Sequence, residues 1–280
     1  MMKNDAIVWP EGKRCAVAVT VNLAAELFWL RLDPACAAMP KTLSMGQYGL
    51  HNGLERVLAA LDARTIPATF FVPGRVAEMY GEQVRDIAGR GHEIANHGDD
   101  YEHMALLEPE EQRGAIARGQ EKLEKCAGVK PVGFRAPLGE ITRETLEAAH
   151  GQGLLYSSDL GDDDRPYWMD VGANERPLLQ IPIHWALYDL PYFAFNYTPA
   201  FPAGQGRIAR YGGVLANWED EFDGFYERGL CYVLQVDPQT IGNPGRIAIL
   251  ESILDRAIGR GDCWIATCRD IYRHCSSLSV

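Results

Sequence analysis

Apolar and polar positions recur along this chain with two periods, and the switches between them mark its elements. The run "CAVAVTVNL" (15–23) is short, apolar and rich in valine, which predicts a buried strand. A long loop is expected next, through "LDPACAAMPKTLSMGQYG". In "GLERVLAALDARTI" (53–66), Leu54, Val57, Leu58 and Leu61 fall at helical spacing, and "PATFFVPG" (67–74) reads as a strand stopped by Pro-Gly. The rhythm continues with a helix in "GEQVRDIAGRG" ending at Gly91, a strand in "HEIANHG", and a helix in "EPEEQRGAIARGQEKLEKCAG" with acidic residues in its first turn and Gly128 beyond its end. "PVGFRAP" reads as a strand and "TRETLEAAHGQG" as a helix with Thr142 as N-cap. "LLYSSD", "LLQIPIHW" and "CYVLQVDP" are further strands, and "GRIAILESILDRAIGRG" is a strongly amphipathic helix.

About seven parallel strands alternating with helices imply a complete or distorted (β/α) barrel. In such a barrel the chemistry sits where the strands end, on the C-terminal face. Those ends carry Asn22 and Glu26, His97 and Asp99, Arg135, Asp159 with Asp162, Asp163 and Asp164, His184 and Asp189, and Asp237. A pocket rich in carboxylates, with one or two imidazoles and a guanidinium, is expected there.

Composition narrows the class. With 280 residues, 47% hydrophobic and 23% charged, one globular domain spanning 1–280 is expected. The net charge of -11 disfavours a nucleic-acid backbone or an anionic membrane surface as partner and leaves a small molecule as the expected ligand. The N-terminal stretch does not read as a signal peptide, and no window approaches the roughly 18 apolar residues of a membrane span. Seven cysteines, odd in number and without a CxxC pair, disfavour a disulfide framework and a cysteine metal site, so a reducing cytoplasm is expected.

The order of "TVNLAAELFWL", "GQYGLHNGLERVLAALD", "PATFFVPG", "GHEIANHG", "GFRAP", "LYSSDLGDDDRPYW", "IPIHW" and "VDPQTIGNPGRIAILE" resembles the polysaccharide deacetylase family. The likeness is to the branch of peptidoglycan-deacetylase-like proteins, cyclic imide hydrolases and metal-independent allantoinases, and runs from about residue 7 to 274. It implies a distorted (β/α) barrel that hydrolyses C–N bonds, in the metal-dependent members with a divalent ion, usually zinc, held by one carboxylate and two imidazoles. It also implies pocket loops completed by a neighbouring chain, and hence a homo-oligomer.

The family's motif residues do not carry over. Its Asp-x-Asp-Ala-Glu stands here as Asn22-Leu23-Ala24-Ala25-Glu26, so an amide replaces the base and a methyl the metal carboxylate. Its His-x-x-x-His keeps His97 but has Tyr101 in second place, and its late His-Pro stands as Asp237-Pro238. The resemblance therefore implies a metal-independent relative without a cofactor, acting by acid/base chemistry on a small amide-like or cyclic substrate, through C–N hydrolysis or a cyclisation, rearrangement or elimination.

Asp237, His97 and Glu26 are the candidate acid/base groups. Asn22, Arg135, Trp29, Tyr167, Trp168 and His184 are candidate substrate contacts, and no residue is assigned to a metal. Plainer roles stand beside these: a satisfied strand-end imidazole for His97, a turn cap for Asp237, structural pairing for Arg135 and a solvated loop for Glu26. Two other functions compete: a non-catalytic binding protein that keeps the pocket, and a zinc deacetylase that recruits His97, His103 and Asp99.

Overall fold

The computed structural model describes residues 7–172, 176–204 and 208–278. Its strands are β1 (Cys15–Asn22), β2 (Thr69–Val72), β3 (Glu93–Asn96), β4 (Gly133–Phe134), β5 (Tyr156–Ser157), β6 (Tyr167–Met169), β7 (Leu178–Gln180), β8 (Asn196–Tyr197), β9 (Ala200–Phe201), β10 (Cys231–Val236) and β11 (Cys263–Ile265). The main sheet runs β10-β1-β2-β3-β4-β5-β7-β6, with β11 on the first half of β1; β8 and β9 form a separate pair. All main-sheet pairings are parallel except β6 to β7. The outer edge of β10 meets loop instead of a ladder: Cys231 N donates to Asp164 O (3.1 Å) and Asp189 N to Gln235 O (3.2 Å). The result is a curled, incompletely closed (β/α) barrel, as the sequence rhythm predicts.

Successive side chains along β1 divide between two cores, as a strand's period of two requires. Ala16 and Ala18 pack with Phe71, Ala95, Leu179 and Val233 inside the curl. Val17, Val19 and Val21 pack with Phe70, Val72 and Leu234 under the helices. Both faces are covered, so the strand reads as a continuous apolar run. Helices Pro109–Ala127 and Arg143–Gly151 start on capping boxes, at Glu108 with Glu111 and at Thr142 with Thr145, and the first ends on a left-handed Gly128. Among the described residues no helix is long and apolar enough to cross a membrane.

The expected loop before residue 49 is corrected. It contains helix Pro40–Tyr48, whose buried positions include Thr42 and Gly46. A Cβ on Gly46 would stand 2.5 Å from the backbone of Glu26, so close backbone approach holds this helix, and no apolar period announces it. Helix Tyr211–Arg228 buries Val214, Trp218, Phe222 and Phe225.

Gly119, inside Pro109–Ala127, lets that helix lie against the loop after β3. A Cβ there would stand 2.2 Å from the backbone oxygen of Gly98. Gly119→Ala is expected to destabilise by about 2 kcal/mol through overpacking. Gly114→Ala on the same helix meets only the movable end of Arg118 and is expected to be neutral or slightly stabilising. Urea midpoints of the two variants check the contrast.

Candidate active site

The site is built on inward positions of β1. Thr20 and Asn22 are two residues apart and share a face, and the Arg135 Nη1, arriving just after β4, donates to both: 2.9 Å to Thr20 Oγ1 and 3.0 Å to Asn22 Oδ1. Arg135 also donates to Ser158, through Nε to the carbonyl (3.0 Å) and Nη2 to the hydroxyl (2.8 Å), and its guanidinium lies 4.1 Å over the Phe71 ring. All four acceptors are neutral. Asp159 accepts from Ala136 N at 2.7 Å and from the Ser157 hydroxyl.

His97 lies after β3 with Nδ1 2.6 Å from Arg135 O. A carbonyl only accepts, so Nδ1 carries the proton and Nε2 a lone pair. Nε2 is buried without a partner. Burial holds the imidazole down to about pKa 3; the Arg135 charge adds to this and the Arg135 carbonyl opposes it.

Tyr101 sits edge-on to His97, ring centroids 5.1 Å apart. Its φ is 59°, and Ala25 and Leu138 are also left-handed, at 51° and 60°. Each such non-glycine residue costs about 1–3 kcal/mol, and such residues gather at functional sites. Burial, followed by the nearby Asp237 carboxylate, pushes the Tyr101 phenol up. The Tyr188 phenol is raised by burial and by Tyr101, Asp237 and Asp189, while a hydrogen bond with Asn22 opposes. Both phenols therefore remain donors at neutral pH.

These groups meet at a cavity of about 310 Å³ lined by Asn22, His97, Tyr101, Arg135, Asp159, Tyr188 and Gln235, with Phe28, Leu138, Ile183, Trp185, Phe201 and Pro202 among its apolar walls. Polar donors sit at the strand ends and hydrophobic surface rises around them, which suits one small ligand.

Of the nine candidate acid/base and substrate-contact residues, Asn22, His97 and Arg135 line this cavity and six do not; Asp159, another of the expected strand-end residues, lines it too. Glu26 accepts both its hydrogen bonds from the Tyr80 hydroxyl, 2.8 and 3.0 Å away. Asp237 caps the next turn, accepting from Gln239 N (3.1 Å) and Gln239 Nε2 (3.2 Å), and burial pushes it up to about pKa 7. Trp29 donates to Gln239 Oε1 at 2.9 Å. Tyr167 and Trp168 belong to β6, which folds back antiparallel on β7, so Tyr167 bonds Asp162 (2.5 Å) and Trp168 packs on Tyr272. His184 packs against Phe225, 3.1 Å from Asp164.

Tyr188 and Gln235 are cavity residues that the sequence reading does not single out. Gln235 carried a signal, as a polar residue within the apolar "CYVLQV"; Tyr188 lies on an irregular segment bridged to Gln235 and carried none.

The residues present do not fit a divalent ion. The position of the carboxylate ligand is the buried methyl of Ala24, that of the second imidazole is Tyr101, and Asn22 is bound to Arg135. Asp99 is turned outward to Arg118 (2.9 Å) and Lys122 (2.8 Å). Among the described residues no three His, Cys, Asp or Glu side chains converge.

Residues 45–157 match the family model for polysaccharide deacetylase. A crystal structure from Mycobacterium smegmatis, described as a polysaccharide deacetylase, is 35% identical and superposes with a TM-score of 0.93 over 100% of this chain and 96% of that one. The peptidoglycan deacetylase of Helicobacter pylori is 26% identical over 269 residues, 87% of this chain and 90% of its own. An allantoinase structure shares the fold at 22% identity, with a TM-score of 0.79 over 95% of this chain and 91% of that one.

Proposed function

The chain belongs to the polysaccharide deacetylase family, and we propose that it is a metal-independent member that works by acid/base chemistry on a small amide-like or cyclic substrate, through C–N hydrolysis or a cofactor-free cyclisation, rearrangement or elimination. The observation that carries this reading is the unprotonated, unpartnered Nε2 of His97, set beside the guanidinium of Arg135 and the phenols of Tyr101 and Tyr188 at one cavity.

A carbonyl oxygen held by these donors gains negative charge along the reaction, where fixed donors are worth about 3 kcal/mol each. His97 is a weak base at rest because it is buried and faces a cation. An oxyanion beside it reverses the local charge, so its proton affinity rises as the charge develops. In hydrolysis Nε2 takes a proton from the attacking water and returns it to the leaving nitrogen as the C–N bond breaks, while Nδ1 stays fixed on Arg135 O. Asn22 orients Arg135 and Tyr188, and is a positioning residue.

Ligand binding without turnover is the second reading. It is favoured by the places of Glu26 and Asp237, each bonded to a neighbour and outside the cavity wall.

A panel of cyclic imides, lactams and N-acyl compounds, offered to the purified chain after chelator dialysis, separates the readings. Turnover is expected to survive dialysis, to fall at least about 100-fold in His97→Asn, and to fall about 10-fold or more in Tyr188→Phe. Wild-type rates in both variants, or activity that follows one bound zinc per chain, would overturn the proposal. Saturable binding with no turnover selects the second reading.

A further inference from the structure

Arg135 and Arg246 are the arginines buried among the described residues, and Arg246 does not belong to the cavity described above. Its guanidinium carbon lies over two aromatic rings that meet edge-on, 5.0 Å from the centroid of Phe193 and 5.5 Å from that of Tyr211. The hydrogen bonds described for it go to neutral oxygens: Nε to Tyr211 Oη and Nη1 to Thr240 O, both 3.2 Å. No described carboxylate lies within ion-pairing distance of it.

Beside Arg246 is a second cavity of about 230 Å³, walled by Trp29, Met45, Tyr48 and Phe193 and lined by no acidic residue. Arg246 and Tyr48 leave hydrogen-bond donors at it, while Asn243 spends its amide N–H groups on the Gln239 and Thr240 carbonyls. Tyr48 Oη accepts from Arg56 Nη1 at 2.6 Å, which leaves its own proton with only a long contact, 3.5 Å to Gly242 O. Gln239 is committed on both sides, its Oε1 to Trp29 Nε1 and its Nε2 to Asp237. Trp29 and Gln239 line this second cavity and not the first.

We propose that this second cavity is a binding site for a small monoanion with a flat apolar body, an aromatic carboxylate in chemical class. One buried cation matches one negative charge. The planar guanidinium offers a carboxylate two parallel N–H donors, and its hydrogen bonds to Tyr211 and Thr240 hold it in place. A phosphate would bring more charge and more acceptors than Arg246 and Tyr48 satisfy. The aromatic walls suit a ring, and the volume suits one ring with little else. This site stands independently of the reaction proposed for the first cavity.

Benzoate is the test ligand, with benzamide as its uncharged counterpart and inorganic phosphate as an anion without an apolar body. Calorimetric titration of the full chain is expected to give saturable benzoate binding, with benzamide and phosphate at least about tenfold weaker, a difference of about 1.4 kcal/mol. Arg246→Met is expected to weaken benzoate at least about tenfold and leave benzamide unchanged. Because loss of a buried arginine can unfold a chain, Ile208→Glu is the second variant: Ile208 lines the cavity, is 42% exposed, and a carboxylate there repels the anion without disturbing the core. Wild-type benzoate affinity in folded Ile208→Glu overturns the proposal. So does wild-type binding weaker than about 10 mM, or binding lost in Tyr188→Phe and kept in Ile208→Glu, which assigns the anion to the first cavity.

Discussion

His97→Asn is expected to be more favourable to stability at pH 4 than at pH 7, relative to the unsubstituted chain, by about 3 kcal/mol. The folded imidazole is held down to about pKa 3, from an ordinary 6.5, by burial first and then by the Arg135 charge. Between these values the unfolded chain binds a proton that the folded chain refuses. Stability is therefore fully present above about 6.5 and is lost as the pH falls toward 3, and between pH 7 and 4 the loss from this one residue is about 3 kcal/mol. Asparagine keeps an amide N–H for the Arg135 carbonyl and cannot be protonated, so the variant escapes the loss. The void left by the ring costs the same at both pH values and cancels in the difference. Urea denaturation of both chains at pH 4 and 7 measures it. Parallel pH dependence in the two proteins would show that His97 is not desolvated, and the weak-base reading of the site would fall with it.

The same residue shows which parts of the site a sequence declares. Position at a strand's end follows from the strand rhythm, so Asn22, His97, Arg135 and Asp159 are legible, and these four reach the cavity. Side-chain direction beyond the strand is set by the turn. Ala25 takes φ 51°, and the next residue, Glu26, meets Tyr80 instead of the pocket. Tyr167 and Trp168 are candidate substrate contacts in sequence, but residues 167–169 pair antiparallel with β7, and neither residue lines the cavity. The fold was more legible than the site because buried parallel strands advertise themselves as apolar runs. Helix Pro40–Tyr48 is the exception, since it packs through Gly46, where the signal is a missing side chain.

Asn22 connects the altered motif to the chemistry. With a carboxylate at this position, Arg135 would meet an anion directly on β1; with an amide, its four hydrogen-bond acceptors are neutral, and the carboxyl that acts on it is Asp159 on the cavity wall. The Arg135 charge lowers His97 in addition to burial, and in the reaction proposed above it is the charge that stabilises a substrate oxyanion. The positions that the family likeness gives to a metal carboxylate and a base are Ala24 and Asn22 here, and the cation on the cavity wall is Arg135.

Asp237→Asn is expected to show the opposite pH dependence, gaining about 4 kcal/mol relative to the unsubstituted chain between pH 4 and pH 8. Burial raises this carboxyl to about pKa 7 from an ordinary 3.8, against the opposing hydrogen bonds from Gln239. In that interval the folded chain holds a proton that the unfolded chain has released. The resulting stability is present below about 3.8 and is lost as the pH rises through 7, where a buried charge must form. Asparagine carries no charge and still offers an oxygen to Gln239 N, so the variant avoids the loss while keeping the cap. Denaturation at the two pH values gives the difference; a constant offset would mean that Asp237 is solvated in the folded chain. The pH profile of turnover then decides whether the proton serves the reaction. If Asp237 exchanges it with substrate through Tyr101 or Tyr188, the variant loses the limb near pH 7. If Asp237 only caps the turn before Gln239, stability shifts by the same amount and the activity profile keeps its shape.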